Sequence, residues 1–172
     1  MPNQTTLRPS DLVIALQLAM APSAQFKQLS EATGISAGEC HNAVRRLRLS
    51  RLLMADERRP SRDALQQFLV QGMPYAFPPI VGAGTVGVLT AHSSPAFHGT
   101  VESPDHFVWA DADGSARGQS LVPLFPRAPM LPVRNPALYE LLTILDALRV
   151  GTTRVRKVAA EMLDTRLAEA KP

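Results

Sequence analysis

Between Arg45 and Arg62 the chain carries seven arginines, with His41 and Asn42 just ahead of them. Guanidinium and carboxamide groups can each make two parallel hydrogen bonds to a base edge, Arg to guanine and Asn to adenine. Arginines beyond reach of the bases can meet phosphates, which fix position without reading sequence. From Ser36 to Leu49 the apolar residues Cys40, Ala43, Val44 and Leu47 recur at helical spacing and mark an inward face. The outward face is then Ala37, Gly38, His41, Asn42, Arg45, Arg46 and Arg48, with no carboxylate after Glu39. Small residues at its N-terminal end, beginning with Ser36, let such a helix enter the ~12 Å major groove of duplex DNA. His41, Asn42 and Arg45 are expected to read bases. Lys27, Arg46, Arg48, Arg51, Arg58 and Arg59 are expected to meet phosphates. The ordinary alternative is a solvated helix face, against which stands the concentration of arginine.

Other patterns carry less. Gly82-Ala83-Gly84-Thr85-Val86-Gly87 fits the spacing of a dinucleotide-binding loop, which needs a strand before it and a helix after it. Pro78-Pro79 precedes it and no helical run follows before Pro95, so a flexible or tightly turning loop is expected. His92, His98, Asp105 and His106 match no metal-ligand spacing and read as surface or satisfied side chains. Asp111 and Asp113 read as an exposed turn, since the remaining ligands of a calcium loop are missing. Ser93 and Ser94 lie beside His92 without a nucleophile elbow. Cys40 is the only cysteine, so it has neither a disulfide partner nor a resolving thiol and reads as a core side chain. No enzyme activity, cofactor or metal is expected.

The elements that position these residues follow from composition and periodicity. The 172 residues are 45% hydrophobic and 19% charged with a net charge of +3, a balance that argues against disorder. The length suits one domain, or a small domain with an extension. Residues 1–72 hold nine basic and six acidic side chains, and residues 73–172 hold nine of each. The entire basic excess therefore lies in the first 72 residues, taken here as one unit, with 73–172 as a second. Ten of the fifteen prolines fall between Pro74 and Pro136. The apolar run Leu12–Ala21 is too short to span a bilayer. Asp11 precedes it, and Arg8 is the only cation ahead of it. It reads as the first helix of a cytoplasmic protein rather than a signal peptide.

That helix should start at Pro9 or Ser10 and stop before Pro22. A second is expected over 24–33, closed by Gly34. Ser36 and Glu39 form a capping box for the third. Leu52–Ala55 reads as a short strand, Glu57–Pro60 as an exposed turn, and Ser61 as the cap of a fourth helix ending at Gly72. In the middle, Phe107–Trp109 and Gln119–Val122 are expected to pair as a hairpin across Asp113-Gly114, with Met73–Pro104 extended. Tyr75, Phe77, Phe97, Phe107 and Trp109 should form a small core joining the halves. Asn135-Pro136 opens a helix burying Leu138, Leu141, Leu142, Leu145 and Leu148. Thr152 or Thr153 caps a last one burying Val155, Val158, Ala159, Met162 and Leu163. Arg149, Arg154, Arg156 and Lys157 read as a second basic spot.

Gly34 at a tight turn, small Ser30 four residues earlier, apolar Leu29 and Ile35 beside it, and inward Cys40 and Ala43 are what two steeply crossing helices require. With the Leu52-Leu53 strand and its arginine-bearing turn, residues 9–62 resemble the winged helix-turn-helix of MarR-like bacterial regulators. The resemblance implies a mainly α fold: a winged helix-turn-helix followed by a Pro-rich β element and C-terminal helices. It also implies a sequence-specific, double-stranded-DNA-binding transcription regulator, more readily a repressor. A homodimer would set two reading helices on a palindrome, with residues 73–172 supplying the dimer or partner interface. Two departures stand out. Arg51 occupies a position where these regulators usually have glycine, and a helix is due at Ser61 where a return strand would run. The alternative is a protein-binding antitoxin or adaptor in which the helix-turn-helix is secondary.

Overall fold

The computed structural model describes residues 6–170. Three helices, α1 (Pro9–Met20), α2 (Phe26–Thr33) and α3 (Ala37–Leu49), open the chain. Every residue of α1 from Asp11 to Leu18 is buried, so this helix is the axis of its half, not one wall of it. Gly34 ends α2 with φ +78, a conformation that costs glycine nothing. Ser36 caps α3 by accepting from the Glu39 amide at 3.3 Å. The expected capping box is only half made, because the Glu39 carboxylate turns to arginines instead.

After α3 the chain reverses at Arg51, whose φ is +58. The backbone here is left-handed, a conformation that favours glycine and that Arg51 adopts despite its side chain. A minimal hairpin follows. Leu53 bridges Pro60, Met54 N donates to Arg59 O at 2.9 Å, and Ser61 N donates to Leu52 O at 2.9 Å. A return arm therefore fits ahead of the next helix.

That helix, α4 (Arg62–Gln67), does not stop at Gly72. It widens into a π turn over Phe68–Gly72 and continues as α5 (Met73–Ala76). Pro74 supplies no N–H and would crowd the carbonyl four residues back, and the wider turn just ahead relieves both.

Three strands follow: β1 (Val81–Thr90), β2 (Phe107–Ala110) and β3 (Ala116–Leu121). Two expectations are corrected here. The glycine-rich stretch is not a loop but most of the longest strand. The predicted hairpin is not one either: β2 and β3 run parallel, pairing Phe107 with Gln119 and Val108 with Ser120. Each is antiparallel to β1, with β2 along Gly87–Thr90 and β3 along Val81–Gly87. Closing three strands on one another forces backbones together. A Cβ on Gly87 would collide with the Trp109 carbonyl, and one on Gly118 with the His106 carbonyl.

The chain ends in α6 (Leu131–Arg134), α7 (Pro136–Val150) and α8 (Thr153–Glu169). Asn135 Oδ1 caps α7 by accepting from Leu138 N at 3.2 Å, and Thr152 caps α8. The leucine face expected on α7 is buried, and so is everything else from Leu141 to Arg149, since α7 is surrounded by helices and strands. Val155, Ala159, Leu163 and Leu167 bury one face of α8. A single hydrophobic cluster runs from Leu12 through Leu69 and Trp109 to Leu167, so the core is continuous across residue 72. Phe97, Phe107 and Trp109 join it as expected, but Tyr75 stands 79% exposed. No helix among the described residues is long and apolar enough to cross a membrane.

A buried polar network ties α7 to the strands. Asp146 accepts from Thr90 Oγ1 at 2.8 Å, Trp109 Nε1 at 2.6 Å and Arg149 Nη1 at 2.7 Å. Arg149 also donates to the carbonyls of Phe77, Pro78 and Val122. Arg149 is thus buried and no part of a surface basic spot; its spacing from Arg154 in sequence hid a change of face.

His92 follows β1 and is neither a surface side chain nor a fully satisfied one. It is buried, its ring stands edge-on to Phe107 at 5.4 Å, and Nδ1 has no hydrogen-bond partner. Burial lowers its pKa against the opposing pull of Asp105. The folded state therefore favours neutral imidazole, while the unfolded chain protonates near pH 6.5. The contribution of His92 to stability is present above that pH and is lost as pH falls. The melting temperature should accordingly drop between pH 7 and about 5.5, and less so in His92→Phe. Equal pH dependence in the two proteins would remove His92 as the cause.

Candidate nucleic-acid interface

The crossing of α2 and α3 is set by a three-residue turn. Thr33 Oγ1 donates to Leu29 O at 2.7 Å and accepts from Ile35 N, which fixes the chain on either side of Gly34. Cys40, Ala43, Val44 and Leu47 face inward as expected. Burial pushes the Cys40 thiol up to about 11, leaving it protonated and unreactive at neutral pH.

The outer face of α3 presents Ala37, Gly38, His41, Asn42, Arg45 and Arg48, all exposed, with Ser36 exposed at its start. Lys27 is exposed in the first turn of α2, and Arg51 and Arg59 are exposed along the hairpin. Phe26 organises the space between these elements, a role its apolar character alone did not reveal. Its ring takes the edge of His41 from α3 at 5.3 Å and carries the Arg58 guanidinium from the hairpin at 5.0 Å. A cation held over an aromatic face is attracted by its quadrupole. The result is an open groove of about 410 Å³ lined by Phe26, His41, Val44, Arg45, Arg48 and Arg58.

Arg46 does not belong to this face. It is buried and donates through Nε and Nη2 to both oxygens of Asp11, at 2.8 and 2.7 Å. Asp11 is wholly buried and also accepts from Arg8 N at 2.9 Å. Glu39 closes the network, pairing with Arg46 and with Arg8, and its carboxyl is held low first by the hydrogen bond from Arg46. Position 46 lies on the rim of the apolar arc, two turns after Glu39, and the expectation of a phosphate contact there is withdrawn. A buried fork–fork pair is a structural tie between α3 and α1. Asn42 Nδ2 lies 3.5 Å from Glu39 Oε2, at the limit of a hydrogen bond.

No protein-family model, curated protein or solved structure matches the chain. The chemistry of the site therefore rests on its own geometry.

Charge pairing distinguishes the arginines of the first 62 residues from one another. Arg8, Arg46, Arg62, Arg149 and Arg166 each meet a carboxylate. Arg45, Arg48, Arg51, Arg58 and Arg59 form no ion pair among the described residues, and three of them, Arg45, Arg48 and Arg58, line the groove beside α3. Such a cluster focuses positive potential over the groove. Among the described residues no group of three His, Cys, Asp or Glu could hold a metal ion.

Proposed function

We propose that the chain binds double-stranded DNA through a winged helix-turn-helix, with α3 in the major groove and the Leu52–Ser61 hairpin as a short wing, and acts as a transcription regulator, more readily a repressor. One observation carries the reading. Arg45, Arg48 and Arg58, none of them paired with a carboxylate among the described residues, line one groove on the outer face of a helix whose N-terminal end is small enough to enter a groove. His41, Asn42 and Arg45 read bases, while Lys27, Arg48, Arg51, Arg58 and Arg59 hold phosphates. Two copies would lie about 34 Å apart on a palindrome. Among exposed large apolar side chains, Val81 and Val122 lie beside Ile80, whose carbonyl accepts from Val122 N at 3.0 Å. This end of the strands is the surface such a dimer would use, in preference to the charged outer face of α8.

The deciding experiment is binding to duplex DNA from the gene's own upstream region, beside a scrambled duplex, at two salt concentrations. Tight, salt-sensitive binding to the upstream duplex alone supports the regulator. Weak or equal binding to both overturns it and favours a protein partner.

Within that reading, Arg45→Ala should cost about 1–3 kcal/mol and relax preference at one base pair. Arg58→Ala should weaken all sequences alike and lower the slope of log K against log salt by about 1. Sequence-independent losses from both would remove Arg45 as a base reader.

A further inference from the structure

Beyond the shared core, the C-terminal half also reaches the turn between α2 and α3. Arg134 Nε donates to Glu31 O at 2.8 Å, and Asn135 Nδ2 donates to Ala32 O at 3.3 Å and Gln17 Oε1 at 2.8 Å. These bonds fix α6 against the end of α2. Gly34 marks how closely the two parts meet. A Cβ there would lie 3.3 Å from Arg127 Cδ, 3.7 Å from Arg127 Nη1 and 3.3 Å from Arg134 Nη1. Both arginine side chains thus lie across the turn, close to the same point.

Both are exposed, and neither forms an ion pair among the described residues. The exposed Arg62 and Arg166, by contrast, are neutralised by Asp164 and Glu140. Two like charges over one turn raise the local positive potential, and an anion is what relieves it. Arg134 uses one of five donors on Glu31 O, and the interaction with the end of α2 suits the helix dipole. That role accounts for Arg134 alone and leaves Arg127 unexplained.

We infer that Arg127 and Arg134 form a second phosphate-binding strip, at the N-terminal end of α3 and opposite the hairpin arginines. The inference rests on the DNA-binding reading above and extends it to the C-terminal half. The thirteen residues of α3 span about 20 Å, more than the ~12 Å width of the major groove. A helix of that length lying in the groove brings each of its ends to a sugar–phosphate backbone. Arg48, Arg51 and Arg58 serve the C-terminal end. Arg127 and Arg134 serve the other, where α3 itself offers no cation before Arg45.

The test uses the full chain and fluorescence anisotropy on two labelled duplexes, the upstream sequence and its scrambled counterpart, across a salt series. In Arg127→Ala/Arg134→Ala the slope of log K against log salt should fall by about 2, at ~0.9 for each phosphate no longer neutralised. Affinity should fall by the same factor on both duplexes, leaving sequence preference intact. The Lys double variant at these positions should keep the slope, and Arg117→Ala, an exposed arginine on β3, should leave it unchanged. Thermal melting of each variant separates loss of binding from loss of fold. An unchanged slope in a folded double-alanine variant, with wild type binding normally, overturns the second strip alone. Absence of wild-type binding to any duplex overturns the strip together with the reading on which it rests.

Discussion

Asp146→Asn should lower stability by about 3–5 kcal/mol, the cost of removing one partner from a buried ion pair. The substitution keeps the shape and removes the charge. The Arg149 guanidinium, its side chain 4% exposed, then has only neutral acceptors, the carbonyls of Phe77, Pro78 and Val122 among them. A carboxamide also cannot serve all three donors, because its NH₂ accepts nothing. Either Arg149 loses its acceptor, or Thr90 and Trp109 lose theirs. With domains commonly stable by only 5–15 kcal/mol, the change removes a large share of the total. Urea denaturation followed by fluorescence measures it directly. The chain has one tryptophan, and its indole N–H is itself a member of the network. A loss below about 1 kcal/mol would show that the network contributes no more than an ordinary hydrogen bond.

Arg46→Met should cost a similar ~3–5 kcal/mol, for the reason that excluded Arg46 from the proposed DNA-binding face. It strands the Asp11 carboxylate, which is wholly buried, beside a helix start whose remaining donor is the Arg8 amide. The double variant Asp11→Leu/Arg46→Met removes both charges and should recover most of the loss, since a buried pair is often no better than an apolar one. A coupling energy below about 0.5 kcal/mol in that cycle would refute the tie. Arg46→Met and Arg45→Ala are neighbours in sequence with opposite expected signatures. The first lowers stability and leaves the affinity of the folded fraction intact. The second leaves stability alone and lowers affinity.

Local chemistry determined much of this protein before any tertiary contact. Asn135-Pro136 starts α7 and five leucines at helical spacing give it a buried face, because caps and periodicity act within one or two turns. Ser36, Gly34 and the inward run from Cys40 to Leu47 set α2, the turn and α3 in the same way. The outward arginines at 45 and 48 were legible for the same reason, since the buried face of a helix fixes its exposed one.

What the tertiary structure decided lies where partners are distant. Val81–Thr90 has too many glycines for a side-chain pattern, and its identity as a strand comes from the two strands that pair along it and from the Trp109 carbonyl that closes on Gly87. Asp113-Gly114 does form a turn, with Gly114 N donating to Asp111 O, but which strands then pair is not a local choice. The expected hairpin yields to β1, which is long enough to pair along both. Arg46 differs from Arg45 only through Asp11, 35 residues away, and no residue type announces a counter-ion at that distance. Arg134 reaches the turn across 103 residues. Its place beside α3 is a consequence of how the two halves share one core, because a charge acquires its role from what folding brings within a few ångströms of it.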